Sequence, residues 1–228
     1  MTILAFVPAR GGSKSIKNKN MTKLHGKPLI KYTLDILKKL NKNIKPFIST
    51  DSKNIIKYAK KFGFNNSYIR PKNLSSSKSN VIDAIFDAVK WLKKEKNYDI
   101  KTILLLEPTN PIRNINEISK AINYFRKNKI KSLASVCKLK HHPFESIEIK
   151  KNNWKFLRKP NKKIYQRQQF TDNFYFIDGN FYIVDINFLK KNKTIVKERY
   201  TKIFKIKRSY PIDINTKDDL KIVSNLIK

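Results

Sequence analysis

Four short apolar runs alternate with four stretches of helical periodicity in the first 138 residues, and this alternation constrains the architecture more than any other feature. The runs TILAFVP (2–8), KPFIST (45–50), KTILLLEP (101–108) and KSLASVCK (131–138) are too short for helices and read as buried strands. KPLIKYTLDILKKL (27–40) spaces Leu29, Ile30, Leu34, Ile36, Leu37 and Leu40 along one helical face, with Pro28 suited to the first turn. DSKNIIKYAKKFG (51–63) predicts a helix that opens on Asp51 as cap and stops at Gly63. SNVIDAIFDAVKWLKK (79–94) gives a third helix. NINEISKAINYFRKN (114–128) gives a fourth, with Asn114 as cap and Glu117 three residues on, in the manner of a capping box. Strands and helices at this spacing form βαβ units, so the expected fold is α/β: a mostly parallel sheet flanked by helices.

The pattern changes after residue 138. From 139 to 176 no helix is evident; FESIEIKK and NNWKFLR are extended pieces, and KKNN between them suits a hairpin turn. This segment predicts a small antiparallel excursion from the sheet. DGNFYIVD (178–185) returns as a strand, followed by the short helix INFLKKN. The end, YPIDINTKDDLKIVSNLIK, reads as a strand tip feeding a helix. Thr216 would cap that helix, and Asp219 at its third position would neutralise the positive end. No internal repeat or low-complexity linker divides the chain, and its length suits one domain over 1–228.

The charge is extreme. Against 17 acidic residues stand 51 basic ones, a net charge of +34. Such a balance makes nucleic acid or an anionic membrane the first partner to consider. Only eight of the 51 are Arg, however, and the lysines are dispersed among many Asn and Ile rather than focused on one segment. Surfaces built for nucleic acid lean on Arg for bidentate and stacked contacts. The sequence therefore points to compositional drift toward Lys, and no nucleic-acid partner is expected. Cys137 is the only cysteine, which excludes an intrachain disulfide. The first residues lack a charged n-region and a cleavage site, and no apolar run spans a bilayer, so a soluble cytoplasmic protein without membrane attachment is the expectation.

Chemistry concentrates directly after the first strand, in VPARGGSKSIKNKN (7–20). In an open α/β sheet, ligands bind at the carboxyl ends of the strands. Gly11 and Gly12 let the backbone approach a ligand, and Ser13 with neighbouring N–H groups can cradle anionic oxygens. Arg10, Lys14, Lys17 and Lys19 can neutralise a triphosphate. The spacing is neither a P-loop nor the dinucleotide fingerprint. The bland alternative is a surface loop in a lysine-rich chain. Against it, the loop holds two of only five glycines and one of only eight arginines.

The same stretch resembles the signature of the cytidylyltransferases that activate sialic acids and related acidic sugars, of general form [IV]-P-A-R-G-G-S-K-x-[IV]-x-x-K-N. STDS (49–52), RPKNL (70–74), LLLEPTNPIR (104–113), HHP (141–143), RQ (167–168), GNFYI (179–183) and IDINTKDDL (212–220) resemble further blocks of that family in the same order. The resemblance covers essentially the whole chain. It implies a Rossmann-like nucleotidyltransferase fold and a homodimer formed through the 139–176 excursion. It also implies a reaction joining CTP to an acidic nine-carbon 2-keto sugar, with CMP-sugar and pyrophosphate as products. The eight-carbon sugar KDO is the alternative acceptor, and a basic nucleic-acid-binding protein the alternative of another class.

By position, the resemblance places Arg10 and Lys14 on the CTP phosphates and Lys19 and Asn20 beside the phosphates and nucleoside. Arg70 falls by the base and ribose; Glu107, Arg167 and Gln168 by the sugar; Asp213 on Mg²⁺. Mg²⁺ takes oxygen ligands and shares them with substrate phosphates. Residues two apart on a strand share a face, which would let Asn215 join Asp213 at the ion. Negative charge crowds the α-phosphorus as pyrophosphate leaves, so cations and metal supply most of the stabilisation.

Four positions depart from the family's pattern. Asn215 stands for a second Asp, Glu107 for a Gln, Ser77 for an Asp, and Arg167-Gln168-Gln169-Phe170-Thr171 for R-Q-D-x-P. A carboxylate at 107 beside an acidic substrate suggests a different sugar or a different hydrogen-bond role. His141 and His142 fall near the substrate blocks but suit a solvated loop nearly as well. Three scattered His and one Cys do not make a structural zinc site.

Overall fold

The computed structural model describes residues 2–65, 67–139, 141–151, 153–159, 170, 174–208 and 211–227. Its centre is a six-stranded sheet. In chain order come β1 (Thr2–Pro8), a minimal hairpin of β2 (Lys23–Leu24) and β3 (Lys27–Pro28), α1 (Leu29–Lys39), β4 (Ile44–Ser49) and α2 (Lys53–Lys60). Then follow α3 (Val81–Lys96), β5 (Ile100–Leu105), α4 (Ile115–Lys127) and β6 (Ser132–Lys138). The hairpin β7 (Ile147–Lys150) and β8 (Asn153–Phe156), the long β9 (Tyr175–Asp185), α5 (Ile186–Asn192), β10 (Lys202–Lys205) and α6 (Lys217–Leu226) complete the chain.

The strand order is β10-β6-β9-β5-β1-β4. β1 runs parallel to both β4 and β5, and β10 is parallel to β6. β9 is antiparallel to both neighbours, β5 and β6, so the sheet is mostly parallel with one reversed inner strand. Strand periodicity divides the core. Ile3, Ala5 and Val7 of β1 face α1, α2 and α4, where Leu34, Ile55 and Phe125 are buried. Leu4 and Phe6 face the other side, against Ile85 of α3 and Leu189 of α5. A strand buried on both faces reads as a continuous apolar run, which is how TILAFVP reads. The β4-β1-β5 arrangement reverses the direction of strand addition at β1 and opens a crevice at its carboxyl end.

Several local expectations are corrected. Asp51 does not cap α2: Ser52 does, its hydroxyl accepting from Ile55 N–H. The Asp51 carboxylate accepts instead from Gly11 N–H at 2.8 Å. Asn114 caps α4, but Glu117 closes no capping box; its carboxylate accepts from Lys207 N–H, 90 residues away in sequence. The capping box at Thr216 and Asp219 is present in both halves. Residues 211–216 form no ladder, yet they keep the period of two expected of a strand tip: Ile212 and Ile214 are buried, Asp213 and Asn215 exposed. Among the described residues no helix is long and apolar enough to cross a membrane.

Candidate active site

The loop after β1 is built before it is functional. Ala9 N–H still reaches Ser49 O at 2.9 Å, extending the β1–β4 pairing by one residue before the chain turns away. A Cβ on Gly11 would lie 2.9 Å from Ser52 Cβ, so only glycine lets the loop pack on the start of α2. A Cβ on Gly12 would meet nothing within 4 Å. Of the two glycines, Gly11 serves packing and Gly12 leaves backbone open toward a ligand. Asn20 donates from its amide to Arg10 O at 2.9 Å and closes the loop on itself. Ile16 is buried with Ile212 and Ile214 and fastens the loop to the C-terminal segment.

Lys19 adds a polar tether to the same place. Its Nζ donates to Ile214 O at 2.8 Å. Burial pulls its pKa below the ordinary lysine value, while Asp213 and Asp219 oppose the shift. Arg70 is almost fully buried. Its guanidinium donates to the Ser49 hydroxyl at 2.9 Å and to Ser49 O, so it braces the end of β4 as well as facing the crevice.

A cavity of ≈ 250 Å³ opens at the carboxyl ends of β1 and β5. Arg10, Gly12, Ser13, Lys19, Asn20, Arg70 and Glu107 all line it. Seven positions picked from sequence thus converge, although they span 98 residues. Gly11 and Lys14 are not in its wall; Gly11 lies behind the loop and Lys14 is exposed. Asp213 and Asn215 stand beside the cavity. Ile214 N–H donates to Thr109 O at 2.8 Å, which docks their segment against the loop after β5. Asn215 Nδ2 donates to Asp213 Oδ2 at 2.8 Å, so the two side chains meet as the period of two requires. Arg167 and Gln168 lie outside the described residues.

Sequence reasoning missed one wall. Ser76, Ser77, Ser79 and Asn80, just before α3, also line the cavity. The Ser76 and Ser79 hydroxyls are 2.8 Å apart, and Ser79 Oγ donates to Asn73 O at 2.9 Å. In the run SSSKSN, the sequence marks Ser77 only as a departure from the family's pattern and places Ser79 and Asn80 inside the third helix, which instead begins at Val81; its serines become a hydrogen-bonding wall once the chain folds. His142, by contrast, is not in the wall. It accepts from Phe144 N–H and stacks on Phe170 with ring centroids 4.2 Å apart.

Glu107 also lines the cavity. Burial, reinforced by the charge of Asp213, holds its carboxyl above the usual range, with Arg113 opposing. Arg113 does not pair with that carboxylate. It donates to Glu107 O, to Asn180 O at 2.7 Å and to the Thr33 hydroxyl at 3.1 Å. Burial pushes its pKa down to about 9. The cavity lining therefore carries both cationic side chains and the Glu107 carboxylate, and a Cβ on Gly179 would sit 3.6 Å from Glu107 Oε2.

Comparison with known proteins agrees with this geometry. Residues 4–225 match the family model described as Cytidylyltransferase. The chain is 31% identical to a CMP-N,N'-diacetyllegionaminic acid synthase of Legionella pneumophila, over 100% of this chain and 97% of the other. It is 29% identical to a pseudaminic acid cytidylyltransferase of Campylobacter jejuni, with the same coverage. Among solved structures, CMP:2-keto-3-deoxy-manno-octonic acid synthetase complexed with CTP superposes with a TM-score of 0.68 at 12% identity, covering 100% of this chain and 98% of that one. That likeness is one of fold, a mixed α/β nucleotidyltransferase architecture. With the family model spanning nearly every residue and the signature loop lining the cavity, this chain belongs to the cytidylyltransferase family.

Proposed function

We propose that this protein transfers CMP from CTP to the anomeric hydroxyl of a nonulosonic acid, releasing pyrophosphate. The observation that carries the reading is the lining of one cavity by Arg10, Gly12, Ser13, Lys19 and Arg70, which suit phosphates, together with Glu107. In the reaction the anomeric hydroxyl gives up its proton to solvent and its oxygen forms a bond to the α-phosphorus as the bond to the pyrophosphate oxygen breaks and pyrophosphate leaves. Arg10 and Lys14 neutralise the leaving group. Gly12 and Ser13 offer open backbone and a hydroxyl to the phosphate oxygens, which is positioning plus electrostatic stabilisation. The Ser76–Asn80 wall gives donors and acceptors for the base. Glu107, with Arg167 and Gln168, is assigned to the sugar.

The donor set near the phosphates suits Mg²⁺, which favours carboxylate and phosphate oxygens. Asp213 is an exposed carboxylate beside the cavity, and Asn215 is its neutral neighbour. Asp219 accepts from Asn215 N–H, Thr216 N–H and the Thr216 hydroxyl, all through Oδ2, which ties that oxygen to the start of α6. When bound, the ion would neutralise phosphate charge and polarise the α-phosphoryl group. The nonulosonic acceptor is favoured over KDO because the relatives named for nine-carbon acids match the chain's whole length at about 30% identity, whereas the KDO enzyme matches in fold at 12%. The test is incubation with CTP, Mg²⁺ and a panel of sialic, legionaminic and pseudaminic acids with KDO included. Product masses should show a CMP-nonulosonate; CMP-KDO alone, or no product, would reject the reading.

We further propose that the protein works as a homodimer joined through residues 139–176. The β7–β8 hairpin forms its own two-stranded sheet. It exposes Ile149, Trp154 and Leu157 by 60–70%. The first residues of β9, Tyr175, Phe176 and Ile177, are exposed as well. An isolated hairpin is marginal in water, and a contiguous apolar surface of this kind calls for a partner. The double substitution Ile149→Glu/Trp154→Glu is expected to give a monomer by light scattering. A wild-type protein that is monomeric and fully active would refute the dimer.

A further inference from the structure

β9 does not cross the sheet as one regular strand. Ala134 of β6 pairs with Tyr182 and Val136 with Ile177, so Ser135 alone faces the four residues Asp178–Phe181. This wide bulge carries Gly179 at φ +66 and brings it against Glu107. Bulges beside active sites re-aim the chain, and they persist only where the surrounding structure fixes them.

A buried polar network fixes this one, although Arg208 Nε and Asn180 Oδ1 find no partner among the described residues. The Ser135 hydroxyl donates to Asp178 Oδ1 at 2.9 Å and accepts from Phe181 N–H at 3.0 Å. Asp178 Oδ1 also accepts from Asn180 N–H. Asn110 donates from its amide to Asp178 O at 2.8 Å. The second Asp178 oxygen pairs with Arg208 Nη2, and the Asp178 side chain is fully buried. Arg208 Nη1 reaches Asn110 Oδ1 at 3.3 Å and Ile112 O at 3.1 Å.

Arg208 also lies five residues before Asp213 in the chain, upstream of the segment that bears it. Downstream, that segment is held by Ile214 N–H on Thr109 O and by Lys19 on Ile214 O. A buried charge pair is a poor source of net stability compared with apolar packing, but removing one partner is severe. Its value here is geometric, since one end is in the bulge under Glu107 and the other leads into the segment of Asp213.

We propose that the Arg208–Asp178 pair is a positioning device that sets the acceptor end and the metal end of the site together. The proposal rests on the cytidylyltransferase reading above. Three variants separate its two halves. Ser135→Ala removes the hydroxyl that plugs the bulge, and with it one hydrogen bond to Asp178 Oδ1, but leaves both charges and their ion pair in place. Arg208→Ala frees both the bulge and the Asp213 segment, and Arg208→Lys retains the charge without the fork. KM for the acceptor sugar should rise about tenfold in Ser135→Ala, with the Mg²⁺ dependence unchanged. In Arg208→Ala both should move, the Mg²⁺ needed for half-maximal rate rising severalfold, and Arg208→Lys should fall between. CTP affinity at saturating Mg²⁺ should change less than threefold throughout, because the loop of Arg10, Gly12 and Ser13 lies outside the network.

Mn²⁺ affinity in the presence of CTP, read by electron paramagnetic resonance, tests the metal half without turnover. Should Arg208→Ala fail to fold, Arg208→Lys and Ser135→Ala carry the same comparison. A lower melting temperature with sugar KM, Mg²⁺ dependence and Mn²⁺ affinity all unmoved would show a purely structural pair and overturn the proposal. Absence of product from the wild-type protein with every sugar would instead reject the proposed function, and the Mn²⁺ comparison would still decide the positioning role.

Discussion

Arg10→Ala is expected to lower kcat/KM for CTP about a hundredfold, the scale of losing one preorganised donor at a site of developing negative charge. The side chain lines the cavity, and its guanidinium makes no hydrogen bond within the described residues; only its backbone carbonyl is used, by Asn20. Its removal therefore subtracts charge from the ligand's surroundings and little from the fold. A partly exposed, unpaired cation contributes no more than about 1 kcal/mol, which is a shift of under about 4 °C in melting temperature for a chain of this size. Lys14→Ala should change turnover in the same direction, from an exposed position on the same loop. Steady-state kinetics and thermal denaturation of both variants check this. Turnover near wild type in both would remove the phosphate role from the loop. A collapse in stability would mean that the side chain holds the fold.

Much of the architecture was legible because its signals are local. β1 and α5 begin and end where their residues change character, and Asn114 and Thr216 announce the helices they cap. The loop after β1 was legible for a different reason. It concentrates glycine and arginine in a chain poor in both. What escaped notice depends on partners distant in the chain. KIFK (202–205) carries two lysines in four residues and lies at the sheet edge, where burial does not enforce alternation, so β10 gave no strand signal. Asp51 and Glu117 looked like helix caps because both precede or open helices. Each instead accepts a backbone N–H from another part of the chain, Gly11 and Lys207. The serines of 76–79 and the Asp178–Arg208 pair have no local pattern at all. Their meaning arises only when β9 bulges and the C-terminal segment folds back over the loop after β5.

That return of the chain underlies the second large effect. Asp213→Ala is expected to reduce turnover at least about a thousandfold, because it removes the exposed carboxylate beside the cavity that is assigned to the hard cation. Asp219 accepts three hydrogen bonds through Oδ2 at the start of α6, and Glu107 faces Gly179. Ile212 and Ile214 are buried on either side of Asp213, so an alanine there leaves the packing of the segment in place. Lys19 keeps its bond to Ile214 O, which does not involve the carboxylate. The loss should therefore appear in rate and metal dependence and not in folding. Asn215 supplies the converse experiment. Its amide donates to Asp213 Oδ2 at 2.8 Å, so a carboxylate in its place would lie within reach of the same ion. Without metal, Asn215→Asp sets two like charges side by side, which raises the pKa of the pair and lowers stability as pH rises through it. With metal, the added charge should lower the Mg²⁺ required for half-maximal rate. With one carboxylate instead of two, the wild-type protein should hold Mg²⁺ weakly until CTP brings its phosphates to the ion. Rate measured against Mg²⁺ for the wild type and both variants decides the assignment. A wild-type rate from Asp213→Ala, or a Mg²⁺ curve that neither substitution moves, would place the metal on other residues and leave Asp213 as part of the turn into α6.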